Sequence, residues 1–186
     1  MKAKLEKKEF CVWAHFDEAS CLALNAIKKK ANDRLLGPNF EVHLTLLGQM
    51  EFINEKTEEV LSRISNSSPP FAVATDYIET KNKFFQALFI KIKNGKQLIE
   101  LRNQIEKGLN LEPNWFFPHV SLYYGLETKT NKNKVKEELP QIPKELIIER
   151  ITLVDTTKDI EFWNIKKSYP LKQKNLNIEN KNQINY

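Results

Sequence analysis

The chain has 186 residues, of which 41% are hydrophobic and 28% charged, so it is long enough for one domain with a buried core. Its five glycines and eight prolines exclude a collagen-like or linker-rich protein, and no apolar run is long enough to span a bilayer. The net charge of +5 only mildly favours anionic partners such as nucleotides or RNA. With two cysteines and a charged N-terminus, we expect a cytoplasmic protein without a secretory signal.

Segments typical of strands alternate with segments typical of helices along the chain. The predicted strands, short and apolar, span residues 10–16, 41–47, 71–79, 84–93, 117–124, 146–154 and 161–165. The predicted helices span residues 17–36, 56–64 and 98–109 and a charged segment around Val135 and Leu139. We expect one bilobal α+β domain over residues 1–171, followed by a poorly ordered polar tail, residues 172–186.

One internal similarity links the two halves of the chain. Residues 38–48 resemble residues 113–125, with a one-residue insertion on each side of a shared histidine. Each copy follows a predicted helix that itself follows a predicted strand. The economical interpretation is a duplicated strand–helix–strand unit, whose two lobes face each other across a cleft with pseudo-two-fold symmetry.

The repeated feature is a histidine two residues before a hydroxyl: His43-Leu44-Thr45-Leu46 and His119-Val120-Ser121-Leu122. Residues two apart in a strand point to the same face, so each motif presents an imidazole beside a hydroxyl. The intervening apolar residues then face the core. Two of the three histidines in the chain follow this pattern, which makes the doubled motif a strong signal.

Two imidazoles and two hydroxyls suit the hydrolysis of a phosphodiester. One neutral ring can activate water while one protonated ring protonates the leaving oxygen, because histidine titrates near neutral pH. The hydroxyls can donate hydrogen bonds to the non-bridging phosphate oxygens. No cluster of carboxylates or cysteines accompanies the histidines, so we expect no metal and no cofactor.

These motifs resemble the 2H phosphoesterase superfamily, and within it the plant and yeast type of cyclic nucleotide phosphodiesterase. Further segments similar to that branch are Val12-Trp13-Ala14, Asp17-Glu18, Gly37-Pro38-x-Phe40, Phe84-Phe85-Gln86, Pro118-His119-x-Ser121-Leu122-x-Tyr124 and residues 151–163. The resemblance covers about residues 10–171. It implies two antiparallel sheets flanking a central cleft, with helices outside. Two departures are Val42, where the branch usually has proline, and His15, where no histidine is expected.

The resemblance also implies metal-independent hydrolysis of a 2′,3′-cyclic nucleotide or of ADP-ribose 1″,2″-cyclic phosphate to the monoester. Carried over by position, His43 and His119 are catalytic, and Thr45 and Ser121 hold the phosphate. The implied substrate-binding residues are Phe84, Gln86 and Tyr124. Which histidine is the acid and which the base stays open, because this depends on which oxygen leaves.

Several aromatic residues have two interpretations. Phe84 and Phe85 would point to opposite faces of one strand, and Phe84 is favoured for stacking on a base because it shares a face with Gln86. Trp115 is a second candidate for such stacking. Tyr124 could equally pack in the core or donate a hydrogen bond to the substrate. His15 is expected to be structural or exposed, since zinc binding with Cys11 would lack further ligands.

Two other functions remain open. The chain could process RNA ends or resemble a 2′-5′ RNA ligase, although its few arginines do not suggest a long basic groove. The lysine run Lys129, Lys132, Lys134 and Lys136 is expected to be a solvated helix face, with RNA contact as the alternative. A nucleotide-binding module without catalysis is the third possibility. We expect a monomer whose partner is a small nucleotide, with no membrane association.

Overall fold

Seven strands and four helices are formed in the computed structural model, which describes residues 8–51, 53 and 55–172. The strands are β1 (Phe10–Phe16), β2 (Leu44–Met50), β3 (Phe71–Thr80), β4 (Leu88–Ile92), β5 (His119–Tyr123), β6 (Glu145–Asp155) and β7 (Asn164–Pro170). The helices are α1 (Glu18–Leu35), α2 (Glu55–Ser65), α3 (Lys96–Gly108) and α4 (Lys129–Glu138). The predicted α+β class and element order are confirmed. The predicted tail lies outside the described residues, apart from Lys172.

Two segments predicted as strands begin with a short 3₁₀ turn instead. The predicted strand 84–93 starts with the turn Phe84–Gln86, and β4 begins only at Leu88. The Gly125 backbone N–H donates to the Phe84 carbonyl at 3.1 Å, so a partner distant in sequence fixes this turn. The turn Ile160–Phe162 likewise precedes β7. An apolar, aromatic run resembles a strand when its tertiary partners are not visible.

All strand pairs are antiparallel, in the order β1–β2–β5–β4–β3–β6–β7, and β1 also pairs with β6. The pairings of β1, β2, β5, β4, β3 and β6 therefore form a closed ring, which the β6–β1 pairing completes. The first part of this strand pairs with β3 from Glu145 to Ile148. From Ile148 onward it pairs with β1, and from Arg150 also with β7.

The expected two flanking sheets are thus joined into one. One strand group contains β7, β6, β1 and β2, and the other contains β5, β4, β3 and the start of β6. They meet a second time between β2 and β5, where a single pair, Leu44 and Val120, is in register. The length of β6, eleven residues, is what lets it belong to both groups. The groups therefore form one continuous antiparallel sheet.

The helices cover the outer faces of these strands. Helix α1 packs on β5 and α4, and α2 packs on α3, β6 and β7. Asp17 caps α1 by accepting a hydrogen bond from the Ser20 N–H at 2.9 Å. Within the described residues, no helix is both long and apolar enough to cross a membrane.

The burial of Lys132 contradicts the prediction that the lysines of α4 form a fully solvated helix face. Its side chain is buried, and its ammonium donates a hydrogen bond to the Lys81 carbonyl at 2.6 Å. This hydrogen bond offsets part of the cost of burying the ammonium. The other three lysines of the run, Lys129, Lys134 and Lys136, are exposed as expected. Lysine's long apolar stem explains why composition alone does not reveal such burial.

Helix α3 contains one buried and one exposed ion pair at the same spacing. Arg102 and Glu106 are 2.6 Å apart, and each side chain is only 5% exposed. Lys96 and Glu100 are 3.9 Å apart and are exposed. The buried guanidinium also donates to the side-chain and backbone oxygens of Asn114, which fastens the segment before β5 to this helix.

We predict that Glu106→Ala lowers the free energy of unfolding by about 3 to 5 kcal/mol, because it leaves a buried guanidinium without its carboxylate. Glu100→Ala, in the same helix, is the matched control and should cost less than about 0.5 kcal/mol. Urea denaturation of both variants measures the difference. Equal, small losses would show that Glu106 contributes no more than a surface charge.

Candidate active site

The pairing of Leu44 with Val120 brings the two histidine motifs together. Each of these residues directly follows the histidine of its motif. Because the strands are antiparallel, His43 lies across from Ser121 and Thr45 lies across from His119, all on the same face. Both central residues are fully buried on the opposite face, as predicted.

The two imidazoles are anchored in the same way. The Nδ1 of His43 lies 2.7 Å from the Glu41 carbonyl oxygen, and the Nδ1 of His119 lies 2.8 Å from the Phe117 carbonyl oxygen. A carbonyl only accepts hydrogen bonds, so Nδ1 carries the proton in each neutral ring. The lone pair is then on Nε2 in both rings. Each motif therefore orients one nitrogen that can take or give a proton.

Burial disfavours the protonated, charged form of both imidazoles. The His43 ring stacks on Trp13 with centroids 3.6 Å apart, and burial lowers the pKa of His43 to about 3. The Glu41 carbonyl opposes this shift, whereas the nearby side chains of His15, His119 and Lys28 add to it. Burial also lowers the pKa of His119. The Phe117 carbonyl opposes the shift, Lys81 adds to it, and the Phe85 backbone also opposes it.

The two hydroxyls differ in their surroundings. Thr45 is partly exposed on the wall of a cavity that both histidines also line. Ser121 is buried, and its hydroxyl donates to the Phe85 carbonyl at 3.1 Å. It therefore lies behind the cavity wall, where it fastens the 3₁₀ turn Phe84–Gln86.

This cavity of about 700 Å³ is the candidate active site, and it brings together most of the predicted site residues. These are His43, Thr45, Phe84, Gln86, His119 and Tyr124. The expectation that Phe84 and Phe85 point to opposite faces of a strand was wrong, because both belong to the 3₁₀ turn. Both rings line the cavity, in edge-to-face contact at 5.0 Å. The site therefore has an aromatic entrance.

Tyr124 packs in the core, the first of its two predicted interpretations, and its hydrogen bond to the substrate stays a prediction. It is buried and stacks on Phe40 with centroids 3.9 Å apart, and it also lines the cavity. Burial raises the pKa of Tyr124 above its ordinary value, and the Ser121 hydroxyl partly offsets this effect. The phenol is therefore neutral at physiological pH and can donate a hydrogen bond.

A model of the 2′-5′ RNA ligase superfamily matches residues 16–160, a range that includes both motifs. The chain belongs to this superfamily. The match confirms the resemblance to 2H phosphoesterases. Cyclic phosphodiesterase of Arabidopsis thaliana is 21% identical over 136 residues, which cover 73% of this chain and 75% of that protein.

Solved structures support the same fold for this superfamily member. Escherichia coli LigT complexed with 3′-AMP superposes with a TM-score of 0.62 at 16% identity, covering 90% of this chain and 100% of LigT. The Thermus thermophilus protein TT0787 gives a TM-score of 0.59 at 16% identity, covering 89% of this chain and 98% of that one. At these identities, the two structures establish shared architecture.

Among the residues that line the cavity without a role assigned from the sequence are Gln49 and Trp163. Gln49 has a left-handed backbone (φ 56°), at an irregular part of the β1–β2 pairing that turns it to the cavity. Trp163 lines the wall 6.1 Å from the Phe85 ring, nearly parallel to it. The sequence does not reveal the position of Gln49, because a β-bulge has no simple sequence signature. Trp163 does have a sequence signal, since it lies within residues 151–163, which resemble the superfamily.

His15 is a buried structural residue, as expected, and its side chain also helps to lower the pKa of His43. Its side chain is 4% exposed, and Nδ1 lies 3.9 Å from a Glu41 carboxylate oxygen. Its Nε2 has no hydrogen-bond partner within the described part of the chain. Burial lowers the pKa of His15 to about 4, and the positive charge of Arg150 adds to this effect. Among the described residues, no group of three or more histidine, cysteine or acidic side chains is arranged to hold a metal ion.

We predict that His15 destabilises the protein in mild acid. The unfolded chain binds a proton below about pH 6.5, whereas the folded chain resists it until about pH 4. The contribution of His15 to the free energy of unfolding therefore falls by up to about 3 kcal/mol across this window. His15→Leu should reduce the loss of stability on acidification, measured by urea denaturation at several pH values. Identical pH dependence in the two proteins would contradict this.

Proposed function

We propose that the chain hydrolyses a cyclic phosphodiester on a nucleotide to the monoester, using His43 and His119 and no metal. The substrate is a 2′,3′-cyclic nucleotide or ADP-ribose 1″,2″-cyclic phosphate. One observation carries the proposal. The Nδ1 of each imidazole lies within hydrogen-bond distance of a backbone carbonyl, and the two histidines adjoin the Leu44–Val120 pair on neighbouring strands. A relative named cyclic phosphodiesterase and a neighbour bound to 3′-AMP, a phosphate monoester, support it.

The proposed reaction is one in-line displacement at phosphorus. The Nε2 of one neutral imidazole takes a proton from water as the water oxygen bonds to phosphorus. The bond from phosphorus to one ring oxygen breaks, and this oxygen receives a proton from Nε2 of the other, protonated imidazole. One water is consumed, and proton exchange with solvent then restores the rings.

Protonation of one ring is coupled to substrate binding. Both histidines have lowered pKa values in the free protein, so an imidazolium is disfavoured there. An anionic phosphate placed between the rings favours the charged form and offsets the cost of burial. Thr45 would donate to a non-bridging phosphate oxygen. Ser121 would do so by exchanging its bond to the Phe85 carbonyl for one to the phosphate.

The nucleoside would bind in the aromatic part of the cavity. Phe84 is exposed at the entrance and can stack on a base, and Gln86 and Tyr124 can donate hydrogen bonds. A base held there would keep the cyclic phosphate near both imidazoles, as the reaction requires.

The direct test is turnover of the four 2′,3′-cyclic nucleotides with EDTA present, resolving 2′- from 3′-monophosphate. We expect one regioisomer at a rate that EDTA does not change. The isomer identifies the leaving oxygen and so constrains which histidine is the acid. Loss of turnover in EDTA that added metal restores would overturn the metal-free mechanism.

We predict that His43→Ala and His119→Ala each lower kcat by about 10² to 10⁴-fold, because each removes one proton-transfer group. The double variant should be no worse than the poorer single variant, since the two rings act as a unit. Tyr77→Ala, exposed on β3 and outside the cavity, is the control and should keep full activity. Thermal unfolding checks that each variant is folded. An active, folded His43→Ala protein would exclude the mechanism.

We predict a bell-shaped pH profile with its kcat/KM optimum below about pH 6.5, the ordinary pKa of histidine. The imidazole that acts as the base stays neutral in mild acid, because its pKa is lowered. The imidazole that acts as the acid loses its proton at a lower pH than an ordinary histidine, because its pKa is lowered too. The optimum of kcat should lie at higher pH, because bound phosphate raises both pKa values. If the optima of kcat/KM and kcat coincided above about pH 7, burial would not set the pKa values of these two imidazoles.

A further inference from the structure

A cavity of about 690 Å³, which we call the His15 cavity, lies beside the candidate active site. The described residues that line it include His15 but neither His43 nor His119. The wall between the two cavities consists of the residues that line both, which are Trp13, Ile160, Glu161 and Trp163. The volume of the His15 cavity is within the range of about 300 to 1,000 Å³ that holds a small ligand.

Two paired strands bring His15 and Arg150 to this cavity. His15 on β1 is directly opposite Arg150 on β6, so both side chains lie on the same face of the sheet. The His15 side chain is buried, and its Nε2 is without a hydrogen-bond partner in the described part of the chain. A buried polar atom without a partner is costly, and a ligand that contacts it recovers part of that cost. Arg150 is partly exposed, and its ion pair with Glu149 involves Nη1 at 3.0 Å, which leaves further N–H donors on the guanidinium.

Helix α1 adds a buried cation to the same cavity. Cys21, Asn25 and Lys28 line it, and their spacing of four and three residues places them on one face of the helix. Lys28 is buried, and its ammonium donates hydrogen bonds to the Phe40 carbonyl and to the Asn39 side-chain oxygen. Both partners are neutral, so neither cancels the positive charge, and one N–H of the ammonium remains for a ligand.

The charges of the cavity are arranged by depth. Two carboxylates, those of Glu41 and Glu161, also line it, and both side chains are exposed, whereas Lys28 and His15 are buried. Water and salt screen exposed charges more than buried ones, so the interior is the electropositive part. Burial lowers the pKa of Lys28, and Glu41 opposes this shift. An anion beside the ammonium would act in the same direction as Glu41 and favour the charged form.

The remaining wall of the His15 cavity suits an organic group. The rings of Trp13 and Trp163 meet edge to face with centroids 5.6 Å apart, and both line the cavity. The aliphatic side chains in its lining are Val42, Val154, Ile160 and Ile165. A phosphate ion alone would leave most of the volume and all of this apolar surface unused.

We infer that the His15 cavity binds a phosphate monoester of a small aromatic molecule. The phosphate lies between Lys28 and Arg150, with the His15 imidazole as its third contact, and the aromatic group packs against the two tryptophans. Three donors from three different elements match the three terminal oxygens of a phosphate group better than the two oxygens of a carboxylate. The family resemblance predicts no histidine at position 15, so it does not imply this site.

The experiment titrates the protein with inorganic phosphate and with phenyl phosphate at neutral pH, and follows the imidazole signals by NMR. The chain has three histidines, so each cavity has its own reporter, His15 for the His15 cavity and His119 for the candidate active site. The His15 signal, assigned by its loss in His15→Gln, should shift saturably with a Kd of its own. Phenyl phosphate should bind about 10-fold more tightly than inorganic phosphate, the equivalent of one aromatic contact.

Matched variants test the two cations. Lys28→Met should weaken phenyl phosphate binding at His15 by about 10 to 150-fold, because it removes a charged hydrogen-bond donor. Lys29→Met, the next residue of α1 and 77% exposed, is the control and should bind like the wild type. Arg150→Met removes a contact without disturbing a buried side chain, so it decides the question if Lys28→Met does not fold. Its control is Arg34→Met, at another exposed, ion-paired arginine.

A variant with the opposite expected effect tests the arrangement of charges. Glu41→Gln removes a negative charge from the exposed part of the cavity and should therefore tighten the binding of phenyl phosphate. Unchanged or weaker binding would contradict the placement of the phosphate beside Lys28 and Arg150.

Several outcomes would overturn the site. They are a His15 signal that does not move, one that moves only with the His119 signal and with the same Kd, equal affinity for the two probes, or equal binding by each folded cation variant and its control. None of these measurements uses turnover. Hydrolysis of a cyclic phosphodiester without a response of His15 would keep the proposed function and overturn this inference, and the reverse result would do the opposite.

Discussion

The antiparallel pair of Leu44 and Val120 is the constraint on which the site depends. These residues hold equivalent positions in the two copies of the motif, so one pairing fixes both imidazoles and both hydroxyls relative to each other. A shift of register by one residue would turn every one of these side chains to the other face. The register is secure because β2 is also paired with β1, and β5 with β4. The apolar residues behind the motifs are buried in the core, which makes the alternative face costly.

The symmetry of the backbone does not extend to the environments of the two rings. His43 stacks on Trp13 and has His15 and Lys28 nearby, whereas His119 has Lys81 nearby. A duplicated motif therefore supplies two identically oriented nitrogens, and the surrounding residues make them chemically different. In the proposed mechanism this difference favours separate acid and base tasks, because different surroundings move the pKa values of two titrating groups apart.

Sequence patterns predicted the parts of this site that depend on periodicity. The alternation in each motif placed His43 and Thr45 on one face and the apolar residues on the other, as the structure has them. The patterns failed where a tertiary contact decides the conformation. The turn Phe84–Gln86 is held by Gly125 and Ser121, both more than thirty positions away. The left-handed Gln49 and the buried Lys132 also depend on neighbours that no local spacing reveals.

The buried pair of Arg102 and Glu106 has a role that stability alone does not explain. Well-packed apolar residues often stabilise a protein as much as a buried ion pair does, because removing two charges from water is costly. The same guanidinium, however, binds Asn114 and lies over Phe116, so it sets the path of the segment that enters β5. An apolar pair could fill this space but could not hold a backbone carbonyl and an amide at once. The directional contacts of Arg102 therefore place Trp115 and Phe117 in line with His119, and so connect the interior of α3 to the edge of the candidate active site.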